Sequence, residues 1–298
     1  MDKTNRSSNH EAEYTNYQGT PCQKNHRRAP RQKKHIFHWG ILTIVLAFFA
    51  IPLVSLALYT IRRPLAGTWT TISWQQLFGM GDTASGVDLS ELWNGVAASV
   101  FAAALTVAMM LVILVPTLVI TRLYSKKLGK IVEFLSLLPL AIPAIALVVG
   151  LGPIYRIISQ VLSTDAWWLA FAYTIIVLPY SYRSLDAGLR QLDVITLFEA
   201  AQTFGASWIR TLFTVVIPNL KTAIISACFI SVAVVFGEYT IAALLGRNNL
   251  QTALFVINQN DSFIAAAMAL LAMLFAMLLL IGVDVITTVA NRSKSSKK

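Results

Sequence analysis

Long runs of apolar side chains, interrupted by few charges, limit what this chain can fold into more than any other feature of its sequence. A backbone in hydrocarbon must satisfy its own hydrogen bonds, so only helices and closed barrels cross a bilayer. A crossing helix needs about 20 mainly apolar residues to cover roughly 30 Å. Six segments meet that length: Ile36 to Thr60, Gly95 to Ile120, Ile131 to Tyr155, Trp167 to Leu185, Leu220 to Leu245 and Phe263 to Ala290. The expected fold is an all-α membrane protein of six transmembrane helices. Composition agrees, because 56% hydrophobic and 13% charged residues with a mean hydropathy of +0.64 lie outside the range of a soluble domain. Proline interrupts several spans, as at Pro139 and Pro143, and such helices are tolerated where neighbours satisfy the freed carbonyls.

Charge sets the expected orientation. Of the 24 Lys and Arg residues, all but Arg62, Arg63, Arg156 and Arg247 fall in the N-terminal tail, the even-numbered connections and the C-terminus. Basic residues stay on the cytoplasmic side, so both termini are expected there, with the membrane crossed several times. Residues 1–35 read as a disordered basic tail touching anionic lipid, 36–290 as the membrane domain and 291–298 as a short basic end. The first apolar run is too long for a secretory signal and lacks a small-residue cleavage site, so it reads as a retained span. The net charge of +10 does not imply nucleic-acid binding, since the tail lacks an interleaved aromatic and glycine pattern.

The long connection between the fourth and fifth spans, about 186–219, carries structure of its own. Thr196 stands three residues before Glu199, the spacing of a capping box, and predicts a short helix through Ala200, Ala201 and Gln202. Gly205 stands where that helix should end, because glycine adopts the left-handed conformation without steric cost. Ser207 then caps a second helix, with Trp208, Ile209, Leu212, Phe213 and Val216 on one apolar face and Pro218 as its stop. Periodicity leaves three roles open for this pair: a headgroup-layer helix, a stabilised connector, or a docking surface for a soluble partner.

The segment resembles the cytoplasmic signature of the inner-membrane permeases of binding-protein-dependent ATP-binding-cassette importers. That signature reads Glu-Ala-Ala, three residues, Gly, nine residues, then Ile, any residue, Leu and Pro. Here Glu199-Ala200-Ala201 is followed at the same spacing by Gly205 and by Val215-Val216-Ile217-Pro218, with apolar residues replacing Ile and Leu. Similarity extends upstream through Ala187-Gly188-Leu189-Arg190-Gln191-Leu192-Asp193 and downstream to Phe236-Gly237-Glu238-Tyr239. The resemblance implies a type I importer bundle with cytoplasmic coupling helices, forming half of a translocation pathway. It also implies three partner chains: an ATP-binding-cassette ATPase subunit, a second permease subunit, identical or different, and an extracytoplasmic solute-binding protein. By carry-over, Glu199, Ala200, Ala201, Gly205 and Pro218 form the ATPase-docking and coupling segment. Glu199 either contacts the ATPase while capping its helix or only caps.

The sequence contains no Gly-x-x-x-x-Gly-Lys-[Ser/Thr] run, so nucleotide is expected on the partner chain and no cofactor on this one. No catalytic or metal-binding cluster is expected: His10, His26, His35 and His38 lie in or beside the tail, and Cys22 and Cys228 are far apart. Ionisable groups inside spans are costly and are functional candidates by default. Glu238, toward the outer half of the fifth span, reads as a pathway residue, a gate, or a bond to a neighbouring helix. Asp284 reads as solvated, and Glu133, near a membrane boundary, receives no role. Trp167, Trp168 and Tyr155 read as an interfacial aromatic belt. The alternative to an importer permease is a six-span secondary transporter or channel with no ATPase. Within the importer group the weak resemblance around Glu238 points to a polyamine or an aminoalkylphosphonate as solute.

Overall fold

The computed structural model describes residues 31–63, 67–80 and 89–295. Most of the basic tail, with Cys22, and the last three residues lie outside them, as do Asp82 and Asp88. Contacts divide the chain into two units, Met1–Pro52 and Leu53–Lys298. Nearly all described structure is helical. Helix α1 (Arg31–Ile61) begins within the stretch read as tail, and contains Pro52. It is followed by a two-residue antiparallel pair, β1 (Arg62–Arg63) and β2 (Thr68–Trp69), and by α2 (Ile72–Leu77), none of which the hydropathy pattern signalled.

The core of the second unit is built by three long helices. Helix α3 (Leu89–Tyr124) buries Leu92, Gly95, Ser99, Ala103, Thr106, Met110, Leu114 and Leu118. These recur at helical spacing, and the small residues in its first half let neighbouring backbones come close. Helix α6 (Leu169–Arg190) packs against both α3 and the long helix that ends at Phe236. Among the described residues, four helices have both the length and the apolarity of a membrane span: α1 from Trp39 to Ile61, α3, α5 (Ala144–Val161), and the helix from Trp208 to Phe236. Helix α6, predicted as the fourth span, has 22 residues but is less apolar, and more than half of its residues are buried within the bundle. Its polar side chains find partners inside the bundle: Ser181 meets Ser231 Oγ at 2.9 Å, and Ser184 donates to the Ala223 carbonyl at 3.1 Å. The sixth predicted span lies within α12 (Ser262–Ser295), whose described apolar part runs from Ser262 to Leu278.

Two predicted spans are not continuous helices. The third, Ile131 to Tyr155, is divided into α4 (Lys126–Leu137), a 3-10 turn (Leu138–Ala141) and α5. Pro139 and Pro143 cause the break, since each lacks an amide hydrogen and Pro143 drives Ile142 into extended backbone. The fifth, Leu220 to Leu245, ends early at Phe236 and resumes as α10 (Thr240–Leu244) beyond Gly237. Helix α11 (Leu250–Asn260) lies in what read as an outer loop. Tyr155 is buried and is no belt residue: its hydroxyl donates to the Trp168 carbonyl and accepts the Ala172 amide.

Candidate functional site

The segment 186–219 forms two helices joined by a tight turn, but its start and its end differ from the sequence expectation. Helix α7 (Val194–Thr203) is capped by Asp193, not Thr196: the Asp193 carboxylate accepts the Thr196 amide at 3.3 Å and the Thr196 hydroxyl at 2.7 Å. Glu199 therefore sits in mid-helix, and the predicted capping box with Thr196 does not form. The bonds from the Thr196 side chain, and then its backbone, hold the Asp193 carboxyl below its ordinary range. A depressed folded-state value means the cap contributes above the unfolded-state range and is lost as pH falls through the folded one. Asp193→Ala should accordingly speed hydrogen exchange at the Thr196 amide at neutral pH and leave it little changed in acid, where the wild-type cap is also gone.

Along α7, Val194 and Phe198 are buried one turn apart, and the Phe198 ring lies 6.0 Å from that of Trp208. Glu199 and Ala200 face away from this contact and are exposed, while Ala201 is half-buried. The turn is the one predicted. Gly205 has φ +78°, its amide donates to the Gln202 carbonyl at 2.8 Å, and the Ala206 amide reaches the Ala201 carbonyl at 3.1 Å. These two bonds are the Schellman pair that closes a helix on a left-handed residue. Ser207 caps the next helix through the Arg210 amide, as expected.

Pro218 does not stop that helix. Helix α8 (Trp208–Thr211) continues through a π-helical turn (Leu212–Val216) into α9 (Ile217–Phe236). The wide turn lets the Ile217 amide reach back to Leu212, and the Asn219 side chain takes up the Val215 carbonyl at 2.8 Å, so proline is accommodated in its first turn. The apolar face of α8 also splits. Leu212 and Val216 are buried, whereas Ile209 and Phe213 are 65% and 62% exposed and Phe204, at the turn, is 91% exposed. The outward tip thus combines one acidic side chain with three large apolar ones, a surface suited to a protein partner.

At the base of this tip lies a charged joint that the sequence reading missed. Asp186, on the last turns of α6 and 8% exposed, accepts Arg122 from the end of α3 on one carboxylate oxygen. Its other oxygen accepts Arg190 at 2.7 Å, one turn further along α6. The Asp186 to Arg190 spacing was readable as a helical i,i+4 pair; the Arg122 contact, 64 residues away in sequence, was not.

The opposite end of the bundle places Glu238. It lies in the break between α9 and α10, where its Oε1 accepts the Ile241 amide at 2.7 Å and so caps α10. Its backbone carbonyl accepts Asn249 Nδ2 at 2.6 Å, and the same amide group donates to the buried Tyr173 hydroxyl at 3.0 Å. Asn249 also caps α11 in a reciprocal box with Thr252, a pattern visible in the sequence as Asn249-x-x-Thr252. Arg247, read as an outer-loop charge, is 6% exposed and donates to Ser159 Oγ at 2.7 Å and to the carbonyls of Ser163 and Asp165. Asn249 is therefore the node joining α6, the α9–α10 break and α11. Asn249→Ala strands buried acceptors and should lower stability by about 2–3 kcal/mol, read as earlier thermal unfolding of the solubilised protein.

The model of one protein family, described as the binding-protein-dependent transport system inner membrane component, matches residues 114–295. A curated protein of Bacillus subtilis (strain 168), the melibiose/raffinose/stachyose import permease protein MelC, is 30% identical over 156 residues. That alignment covers 50% of this chain and 55% of MelC, so the chain spans about half the length of the curated relative it matches. Both the α6–α9 bundle and the α7–α8 tip lie within the matched family region.

Proposed function

Because this chain belongs to the family of binding-protein-dependent transport system inner membrane components, we propose that it is the membrane-spanning permease subunit of an ATP-driven solute importer. The observation that carries the reading is the exposed tip of α7 and α8. There Glu199, Ala200 and the Gly205 turn stand in the spacing of the permease signature, and Phe204, Ile209 and Phe213 face outward. The tip docks on a separate ATPase subunit, which binds the nucleotide for which this sequence has no phosphate loop. Closure of the ATPase pair moves α7 and α8. The π-helical join carries the movement into α9 without a loop, and the bundle alternates between openings.

The basic end of the bundle faces the cytoplasm of a bacterial cell, with both termini on that side. A second permease subunit completes the pathway and an extracytoplasmic binding protein delivers the solute. Glu238, at the α9–α10 break, serves as a gate element, since discontinuous helices place backbone and charge at a pathway. Two solute classes are tested side by side: the polyamines and aminoalkylphosphonates suggested by the sequence around Glu238, and the oligosaccharides for which MelC is named. The test is co-purification of the solubilised chain with an ATPase subunit, followed by uptake into proteoliposomes containing the binding protein. ATP-dependent uptake supports the reading. Uptake that proceeds with no ATPase present makes the chain a secondary transporter or channel instead.

A further inference from the structure

We propose that Asp186 is the positioning residue through which movement of the α7–α8 tip reaches α3 and α4, and that Glu133 is the second seat onto which its arginine is exchanged. This rests on the reading of the chain as an ATP-coupled permease. Four elements converge here: the end of α3, α4, the last turns of α6 and the start of α7. Between them lies a cavity of about 440 Å³, lined by Arg122, Lys130, Glu133, Tyr182, Asp186 and Arg190 among others. Space beside an ion pair is what allows its members to move.

The charges around that space are unevenly engaged. From α3 comes Arg122, from α4 Lys130 and Glu133, from α6 Tyr182, Asp186 and Arg190, and from the start of α7 Asp193. Asp186 holds both arginines at once, and Asp193 is occupied in capping α7. Among the described residues Glu133 forms no ion pair, although it lines the same cavity. Arg190 responds to both acids: its bond and charge contact with Asp186 raise its proton affinity most, and Glu133 adds to that.

Two discrete pairings follow. With Arg190 on Asp186, that pair stays within α6, and the same carboxylate ties α6 to α3 through Arg122. With Arg190 on Glu133, α6 is tied to α4, and Asp186 holds Arg122 alone. Arg190 is the last residue of α6, and only three residues separate it from α7, so a displaced tip pulls on it first. A joint with two ionic seats is a bistable element, which converts a small displacement at the tip into the making or breaking of an α6–α4 tie beside a constant α3–α6 one.

The experiment uses the complete transporter in proteoliposomes, with its ATPase, partner permease and binding protein, and measures nucleotide hydrolysis and solute uptake together. Wild type must first show ATP-driven uptake; its absence overturns the importer reading, not the joint. Asp186→Asn keeps the size of the side chain and removes its charge. It should preserve assembly and hydrolysis while lowering solute moved per ATP by about tenfold, the scale of a typical coupling free energy. Uptake and hydrolysis that fall in the same proportion make Asp186 a merely structural residue, and values at wild-type level remove it from coupling; either result overturns the proposal. If Asp186→Asn fails to assemble, Glu133→Gln decides. Its side chain lines the cavity, and it should also lower the uptake-to-hydrolysis ratio, whereas an unchanged ratio overturns the exchange.

Discussion

Gly205→Val should abolish ATP-driven uptake while leaving the membrane bundle folded. The Gly205 backbone lies at φ +78°, where a β-branched side chain is a steric outlier, and nothing within 4 Å of the added Cβ compensates or clashes. The strain is of order 1–3 kcal/mol, and it falls on a turn held by the two Schellman bonds and the Phe198–Trp208 contact. The turn therefore re-forms differently, and Glu199 and Phe204 lose their shared outward face. Gly205→Asn, which tolerates the left-handed region, should retain most uptake, and Gly205→Ala should fall between. Thermal unfolding of all three should stay within several degrees of wild type, because the strain is confined to the turn. A series in which uptake ignores this order would show that the turn geometry is not what matters.

Gly188→Val should instead unfold the bundle. A Cβ at Gly188 would come within 2.4 Å of the Ala223 Cβ and 2.9 Å of Leu220 Cδ1, where α6 crosses α9. The first neighbour is attached directly to backbone and cannot rotate away, so the helices must separate. Overpacking of this kind costs about 1–3 kcal/mol, and a clash against backbone lies at the upper end. The expected results are a lower unfolding temperature and reduced yield of solubilised protein. Gly150 is the control, since nothing lies within 4 Å of its added Cβ, and Gly150→Val should unfold near wild type.

These two glycines show what the sequence made legible. Gly205 was readable as a helix end because its role is local, written in the residues on either side. Gly188 appeared only as part of a resemblance, because the need for it arises from Ala223 and Leu220, which meet it through tertiary packing. The same division runs through the chain. Apolar length exposed the crossing helices, and it overran at Phe236, where the apolar run continues but the helix breaks at Gly237. Thr196 read as the cap, but the end of α6 at Arg190 leaves only a short turn, and the cap falls three residues earlier, on Asp193. Pro218 read as a stop because a π-helical turn has no sequence marker. Helix α11 escaped because Gln251, Thr252, Asn258, Gln259 and Asn260 dilute its hydropathy, although Asn249 and Thr252 announced its start. The Arg122–Asp186–Arg190 joint was half visible, as one helical pair whose third member folding alone supplies.

The central claim is that the α7–α8 tip is gripped by an ATPase subunit, and site-directed crosslinking tests it most directly. Ala200→Cys, in a chain whose Cys22 and Cys228 are replaced by serine, presents one thiol beside Glu199 on the exposed face of α7. In native membranes this thiol should crosslink to the ATPase subunit, with a yield that changes when nucleotide is added. A thiol that reacts only with lipid-soluble reagents, or is labelled from outside the cell, would contradict the account.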